Sequence, residues 1–203
     1  MIEKLRSFYA KSKVTFILLM IMIVYFIWIS LNGGTTDTHT LVKYGAMFPP
    51  FVVGFHQYYR FVTSIFIHIG ITHILFNGYA LYIFGPQIEW LMGPKKYLLF
   101  FLLTGIGGNL VTFFFDFGSV SAGASGSLFG LLGAFLYLIH RHKEMITPAG
   151  RRSLLQLLGV NLLLTLAVPT ISVTAHLGGL VMGYLLSYLF VKIPKQKGVQ
   201  LIN

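Results

Sequence analysis

The sequence predicts an all-α membrane protein, a bundle of six transmembrane helices forming a single domain over residues 1–203. Three observations carry this. The chain is 56% hydrophobic and only 10% charged, whereas a soluble domain carries about 25% charged residues. Its apolar residues gather in six runs near the length that crosses a bilayer, about 17–25 residues. Its basic residues sit between those runs in alternation, as cytoplasmic loops do.

The first run, residues 14–31, follows Lys4, Arg6, Lys11 and Lys13 and ends at Asn32-Gly33-Gly34. It is too long for the apolar core of a signal peptide, and no small-x-small cleavage site follows, so it reads as a retained helix. The second, residues 72–91, stops at Gly93-Pro94, and the third covers residues 97–115. The fourth, residues 125–139, is short. The fifth, residues 153–168, is stopped by Pro169, and the sixth, residues 175–191, by Pro194. No tandem repeat or low-complexity tract marks off a second domain.

Of the 15 Lys and Arg residues, all but Lys43 and Arg60 lie in the two tails, in the loop between spans two and three, or in the loop between spans four and five. That pattern needs an even number of spans with both termini cytoplasmic. The net charge of +10 is therefore a topology signal. The partner it implies is the lipid bilayer, and no nucleic acid is required. Residues 33–71 are a long loop, yet they hold Phe48, Phe51, Phe55, Tyr58, Tyr59 and Phe61. A loop this apolar either lies in the outer membrane interface or packs against the bundle.

Polar side chains at membrane depth are costly and point to function. Spans two, four and six all start on the outer side, so His73 and Asn77, Ser125, and His176 are brought to one end of the bundle. His73 and Asn77 are four residues apart and share a helix face. The fourth run, about 15 residues, gives roughly 22 Å of helix, against a hydrocarbon core of about 30 Å. Ser125 is thus expected below the outer surface, reached by the irregular stretch 117–124. Non-helical backbone at that depth must be buried by protein or line a water-filled cavity, and hydrolysis needs such water.

Gly126 and Gly130 form one small-xxx-small step, and Gly179 and Gly183 another. Such steps let helix backbones approach closely. His176 lies three and seven residues before the second pair, on the same face. A serine hydroxyl becomes a nucleophile only when a base takes its proton, and His176 can be that base.

Three strings occur in order on the second, fourth and sixth helices. They are His73-Ile74-Leu75-Phe76-Asn77, Gly123-Ala124-Ser125-Gly126, and Ala175-His176-Leu177-Gly178-Gly179 with Gly183 beyond. They resemble the HxxxN, GxSG and AHxxGxxxG motifs of the rhomboid family of intramembrane serine proteases, and the likeness spans residues 14–191. The resemblance implies a six-helix fold of the bacterial type, in a plasma membrane, cutting single-pass transmembrane substrates. It implies a Ser–His dyad with Ser125 as nucleophile and His176 as base. It also implies an oxyanion hole from His73, Asn77 and the Ser125 N–H, and active-site packing by Gly123, Gly126, Phe129, Gly179 and Gly183. No metal and no cofactor are implied. Tyr59-Arg60 stands where the family often has Trp-Arg. Phe129 stands where some members place a tyrosine against the catalytic histidine; it can stack but has no hydroxyl.

Other classes fit less well. With no cysteine, thiol catalysis and thiolate metal sites are excluded. There is no HExxH zinc motif. Asp37 and Asp116 fall outside the apolar runs, so no aspartyl pair is available. A transporter or channel needs a polar path through the inner halves of the spans. A catalytically silent rhomboid relative, acting as a binding or quality-control factor, usually lacks the Ser or the His, and both are present here. These motifs name neither the substrate nor the oligomeric state.

Overall fold

The computed structural model describes residues 2–192; Pro194, Lys195 and Lys197, part of the expected stop and charge cluster after the sixth span, lie outside the described residues. The helices in chain order are α1 (Ile2–Lys11), α2 (Lys13–Leu31), α3 (Thr38–Lys43), α4 (Pro49–Phe55), α5 (Arg60–Thr63), α6 (Gly70–Met92), α7 (Pro94–Phe115), α8 (Ser125–Arg141), α9 (Pro148–Ala167) and α10 (Val173–Phe190). Short 3-10 turns cover Ser64–Phe66 and Lys143–Met145. No strand occurs among the described residues; a single antiparallel bridge joins Met47 to Ser121.

A helix stands at each of the six expected places. Three are long and apolar enough to cross a membrane: α2, α7 and α10, with mean hydropathy 2.7, 2.0 and 1.4. A fourth is added if the segment Arg60–Phe66 and α6, which meet at 92°, count as one broken span. On α2 the side chains of Ile17, Ile21, Val24, Ile27, Trp28 and Leu31 are exposed. A continuous apolar face of that kind is compatible with lipid and not with water.

The boundaries differ from expectation where capping decides them. α9 begins at Pro148, five residues before the expected start, and takes in Arg151 and Arg152. Thr147 caps it, its hydroxyl accepting from Gly150 N–H at 3.0 Å, and Pro148 supplies a preset φ at the first position. α6 and α7 meet at Gly93, whose φ of +77° turns the chain in a region open to glycine, with Pro94 opening the next helix. The loop of residues 33–71 is not extended but folded into α3, α4, α5 and the first 3-10 turn. Asp37 opens α3 by accepting from Thr40 N–H at 2.7 Å, and hydrogen bonding from the Thr40 side chain first, and from that N–H second, lowers its carboxyl pKa. Met47, Val52, Ile65 and Ile67 of this loop are buried, whereas Val53, Phe55, Tyr58 and Tyr59 are exposed.

α8 is the centre of the bundle. All its residues from Gly126 to Phe135 are buried, because neighbours cover it on every side. Leu131 and Phe135 of α8 join Leu18 and Met22 of α2, Leu81 and Ile88 of α6, and Phe100 and Phe101 of α7 in one apolar cluster. Against α10 the contact is between backbones. A Cβ on Gly179 would lie 3.1 Å from Gly126 Cα, and one on Gly183 2.6 Å from Gly130 Cα. The two glycine steps therefore face each other, and the helices approach as closely as their main chains permit.

Candidate active site

Ser125 is the first residue of α8 and is half-buried. No side chain caps this end, so the first-turn N–H groups, which have no partner within a helix, point past Ser125. The stretch before it is tied down by main-chain bonds. Met47 and Ser121 exchange bonds of 2.8 and 2.9 Å, and Gly123 N–H donates to Ser64 O at 2.9 Å. Protein thus pairs both main-chain groups of Ser121 and the Gly123 N–H in this irregular stretch.

Gly123 has φ +130°, and a Cβ there would fall 2.8 Å from His73 Nε2 and 3.7 Å from Ser125 Oγ. His73 and Ser125 therefore border one small gap that the missing side chain leaves open. His73 folds back over the start of its own helix, where Ile69 N–H donates to its Nδ1 at 3.3 Å. With Nδ1 accepting, the neutral ring carries its proton on Nε2, so a donor faces the gap. Asn77, one turn on, is buried; its Nδ2 donates to His73 O at 2.9 Å. One Nδ2 hydrogen is used there and the other is free, while Oδ1 has no partner among the described residues.

His176 is buried in the first turn of α10. Its ring stacks on Phe129 of α8, with centroids 4.1 Å apart and planes at 18°. Thr165 of α9 meets the edge of the ring, with Oγ1 2.8 Å from Nδ1. No direct hydrogen bond joins Ser125 Oγ to His176 among the described residues, and catalytic contacts often tighten only when substrate binds. Backbone packing holds the two segments together: a Cβ on Gly126 would lie 3.4 Å from Ala175 O. The expected site residues His73, Asn77, Ser125 and His176, with Gly123, Gly126, Phe129 and Gly179, thus cluster at one end of α6, α8 and α10. Gly183 lies a turn deeper, on the α8–α10 contact.

Residues 55–193 match the Rhomboid domain family. The chain belongs to the rhomboid family. It is an integral membrane protein. It is 35% identical to the rhomboid protease GluP of Bacillus subtilis (strain 168) over 174 residues, 86% of this chain and 34% of that protein. It is 34% identical to the putative rhomboid protease YdcA of the same organism over 142 residues, 70% of this chain and 71% of that one. RHOMBOID-like protein 1 of Arabidopsis thaliana is 35% identical over 162 residues, 77% of this chain and 40% of its own length. The chain therefore spans about a third of the length of GluP.

Several residues of this rhomboid escaped the sequence reading. His68 is fully buried and stands edge-to-face on His73, with centroids 5.3 Å apart. Its Nδ1 faces Phe66 O at 3.3 Å, and its Nε2 accepts from Ala124 N–H at 3.4 Å. It links the loop to the residue before Ser125. A histidine five residues before His73, at the end of an apolar loop, was the available signal. Glu89 is also buried, capping the start of α2 by accepting from Val14 N–H, Thr15 N–H and the Thr15 hydroxyl at 2.9, 2.8 and 2.8 Å. Arg60, which the sequence did single out beside Tyr59, is buried too, its Nη1 donating to Val42 O and Ala46 O at 2.7 and 2.6 Å and its Nε to Gln57 Oε1 at 2.7 Å. It ties α3 and α5 together from inside the loop.

Proposed function

We propose that this rhomboid is an intramembrane serine protease that cuts single-pass transmembrane proteins near the outer face of a plasma membrane, with six spans and both termini in the cytoplasm. The observation that carries the reading is the gap beside Gly123, bordered by Ser125 Oγ on one side and a His73 Nε2 donor on the other. A peptide carbonyl entering that gap meets a nucleophile and a hydrogen-bond donor at once, which acyl transfer requires.

Ser125 Oγ attacks the carbonyl carbon while its proton passes to His176 Nε2. The oxyanion is held by the Ser125 N–H, the His73 Nε2–H and the free Nδ2–H of Asn77. His176 then gives its proton to the leaving amine, and the peptide bond breaks. Water repeats the sequence on the acyl-serine, freeing the acid and restoring Ser125. A peptide bond must leave its helix before it can be attacked, so Gly, Pro or polar residues near the cut site favour cleavage.

The test is cleavage of a single-span substrate in detergent by purified wild type and Ser125→Ala. Cleavage by wild type alone, with a mechanism-based serine reagent attached to Ser125, is expected. Activity abolished by a chelator and restored by zinc would overturn the reading. Reporter fusions near Gly34 and at Asn203 test the topology, and an outer C-terminus would break the six-span arrangement.

A further inference from the structure

Thr165 sits two residues before the end of α9, in a run of leucines. It is 2% exposed, and nothing in its sequence setting marks it out. Its Oγ1 makes two short contacts. One is to Asn161 O, four residues back in the same helix, at 2.7 Å. The other is to His176 Nδ1 on α10, at 2.8 Å.

A hydroxyl has one proton and two lone pairs, so only two arrangements need comparison. In the first, the hydroxyl donates to Asn161 O and accepts from His176 Nδ1–H. Both contacts are then hydrogen bonds, and both buried groups are satisfied. In the second, the hydroxyl donates to Nδ1. Thr165 Oγ1 and Asn161 O are then two acceptor oxygens 2.7 Å apart with no proton between them. That leaves one bond instead of two and adds a repulsion in a dry site, where an unpaired polar contact is most costly. The first arrangement wins.

We infer that Thr165 is a positioning residue for His176, its hydroxyl oxygen accepting the Nδ1 proton and so holding the imidazole in the tautomer whose Nε2 is free to take a proton. The inference rests on the proposed protease reading for its consequence, though not for its geometry. Nδ1 keeps its proton in both the neutral and the protonated ring, so the same hydrogen bond serves before and after proton transfer. Phe129 fixes the plane of the ring by stacking, and Thr165 fixes which nitrogen is the base. In serine hydrolases with a third side chain, a carboxylate does both the orienting and the charge stabilisation. Here a neutral hydroxyl, itself oriented by a helix carbonyl, does the orienting alone. The arrangement also links α9 to α10 across Pro169 by a bond that exists only while the two helix ends stay together.

The experiment uses the full chain in detergent, labelled with ¹⁵N-histidine, as wild type, Thr165→Val and Thr165→Ser. The His176 signals are identified by their loss in His176→Ala. Above the titration of the ring, wild type and Thr165→Ser are expected to show a protonated Nδ1 and an unprotonated Nε2. Thr165→Val, equal in shape but without a hydroxyl, is expected to show a mixture containing the opposite tautomer. In cleavage assays its kcat is expected to fall about tenfold, the worth of one neutral hydrogen bond, with KM unchanged and with activity restored in Thr165→Ser. A wild-type His176 protonated on Nε2 overturns the inference whatever the activity. So does a Thr165→Val protein that melts earlier but keeps both the tautomer and kcat, because Thr165 is then only packing. A wild type that shows the Nδ1 proton yet cleaves independently of Ser125 sinks the protease reading and leaves the tautomer assignment standing.

Discussion

Phe129 and His176 lie ring on ring, with centroids 4.1 Å apart and planes at 18°. Phe129 is one helical turn after Ser125 on α8, so one helix carries both the proposed nucleophile and the surface that orients the proposed base. Phe129→Ala is expected to remove that surface and open a cavity in a buried site, costing about 3–5 kcal/mol and most of the activity. Phe129→Tyr keeps the ring and is expected to keep turnover. Thermal melts and single-turnover cleavage measure both, and full activity in a well-folded Phe129→Ala would show that the stack does not orient His176.

The two histidines are expected to behave differently. His73 presents a donor, because its Nδ1 is occupied by Ile69 N–H, and a donor stabilises an oxyanion without being able to take a proton. Loss of one such donor costs about 10²–10³ in rate, so His73→Ala and Asn77→Ala are expected to retain weak turnover. Ser125→Ala and His176→Ala are expected to retain none. If His73→Ala were as inactive as Ser125→Ala while His176→Ala still cleaved, the roles would be reversed.

The rate is also expected to depend on pH with a definite sign. A base must be unprotonated, so cleavage rises with pH through the titration of His176 and then levels off. A chemistry-limited rate that stays flat from about pH 4 to 9 argues against a histidine base.

Glu89 is expected to matter for stability and not for chemistry. It is 4% exposed and satisfies two main-chain N–H groups and one hydroxyl at the start of α2. Glu89→Ala leaves the two main-chain donors without a partner, at a cost of about 3 kcal/mol, while the Thr15 hydroxyl keeps Tyr97 Oη at 3.3 Å. Glu89→Gln keeps one acceptor oxygen and is expected to cost less. Melting temperatures in detergent rank the three proteins, and a Glu89→Ala variant as stable as wild type would contradict the capping role.

A matched pair of glycines tests the α8–α10 contact. A Cβ at Gly183 meets the main chain of Gly130, which cannot move aside without separating the helices, whereas one at Gly159 on α9 meets nothing within 4 Å. Gly183→Ala is expected to destabilise by about 1–3 kcal/mol and to reduce activity by shifting His176 relative to Ser125. Gly159→Ala is expected to stabilise by about 0.5–1 kcal/mol through helix propensity. Equal melting temperatures for the two variants would show that the contact yields.

What the sequence determined by itself is the set of long apolar helices, though not the short helices α3, α4 and α5 of the loop between the first two, and the end of the bundle where their polar residues meet. Apolar runs and breakers place α2, α6, α7, α8 and α10 within a few residues, because lipid leaves a membrane segment few alternatives to a helix. The spacing of Gly126, Gly130, Gly179 and Gly183 marks a close-packing face, because only hydrogen in place of a side chain permits it. The start of α9 was legible in Thr147-Pro148, but apolar content hid it, since Arg151 and Arg152 lie inside the helix. The tertiary structure alone decided which polar atoms are partners. Glu89 caps a helix 74 residues earlier in the chain, Asn109 donates to Phe61 O across 48 residues, and His68 reaches Ala124 across 56. Thr165 and His176 are only 11 residues apart, yet they lie on different helices. Hydrogen bonds act over about 3 Å, so a partner is defined by where the helices come to rest, and helical periodicity says nothing about which residue on a neighbouring helix will be there.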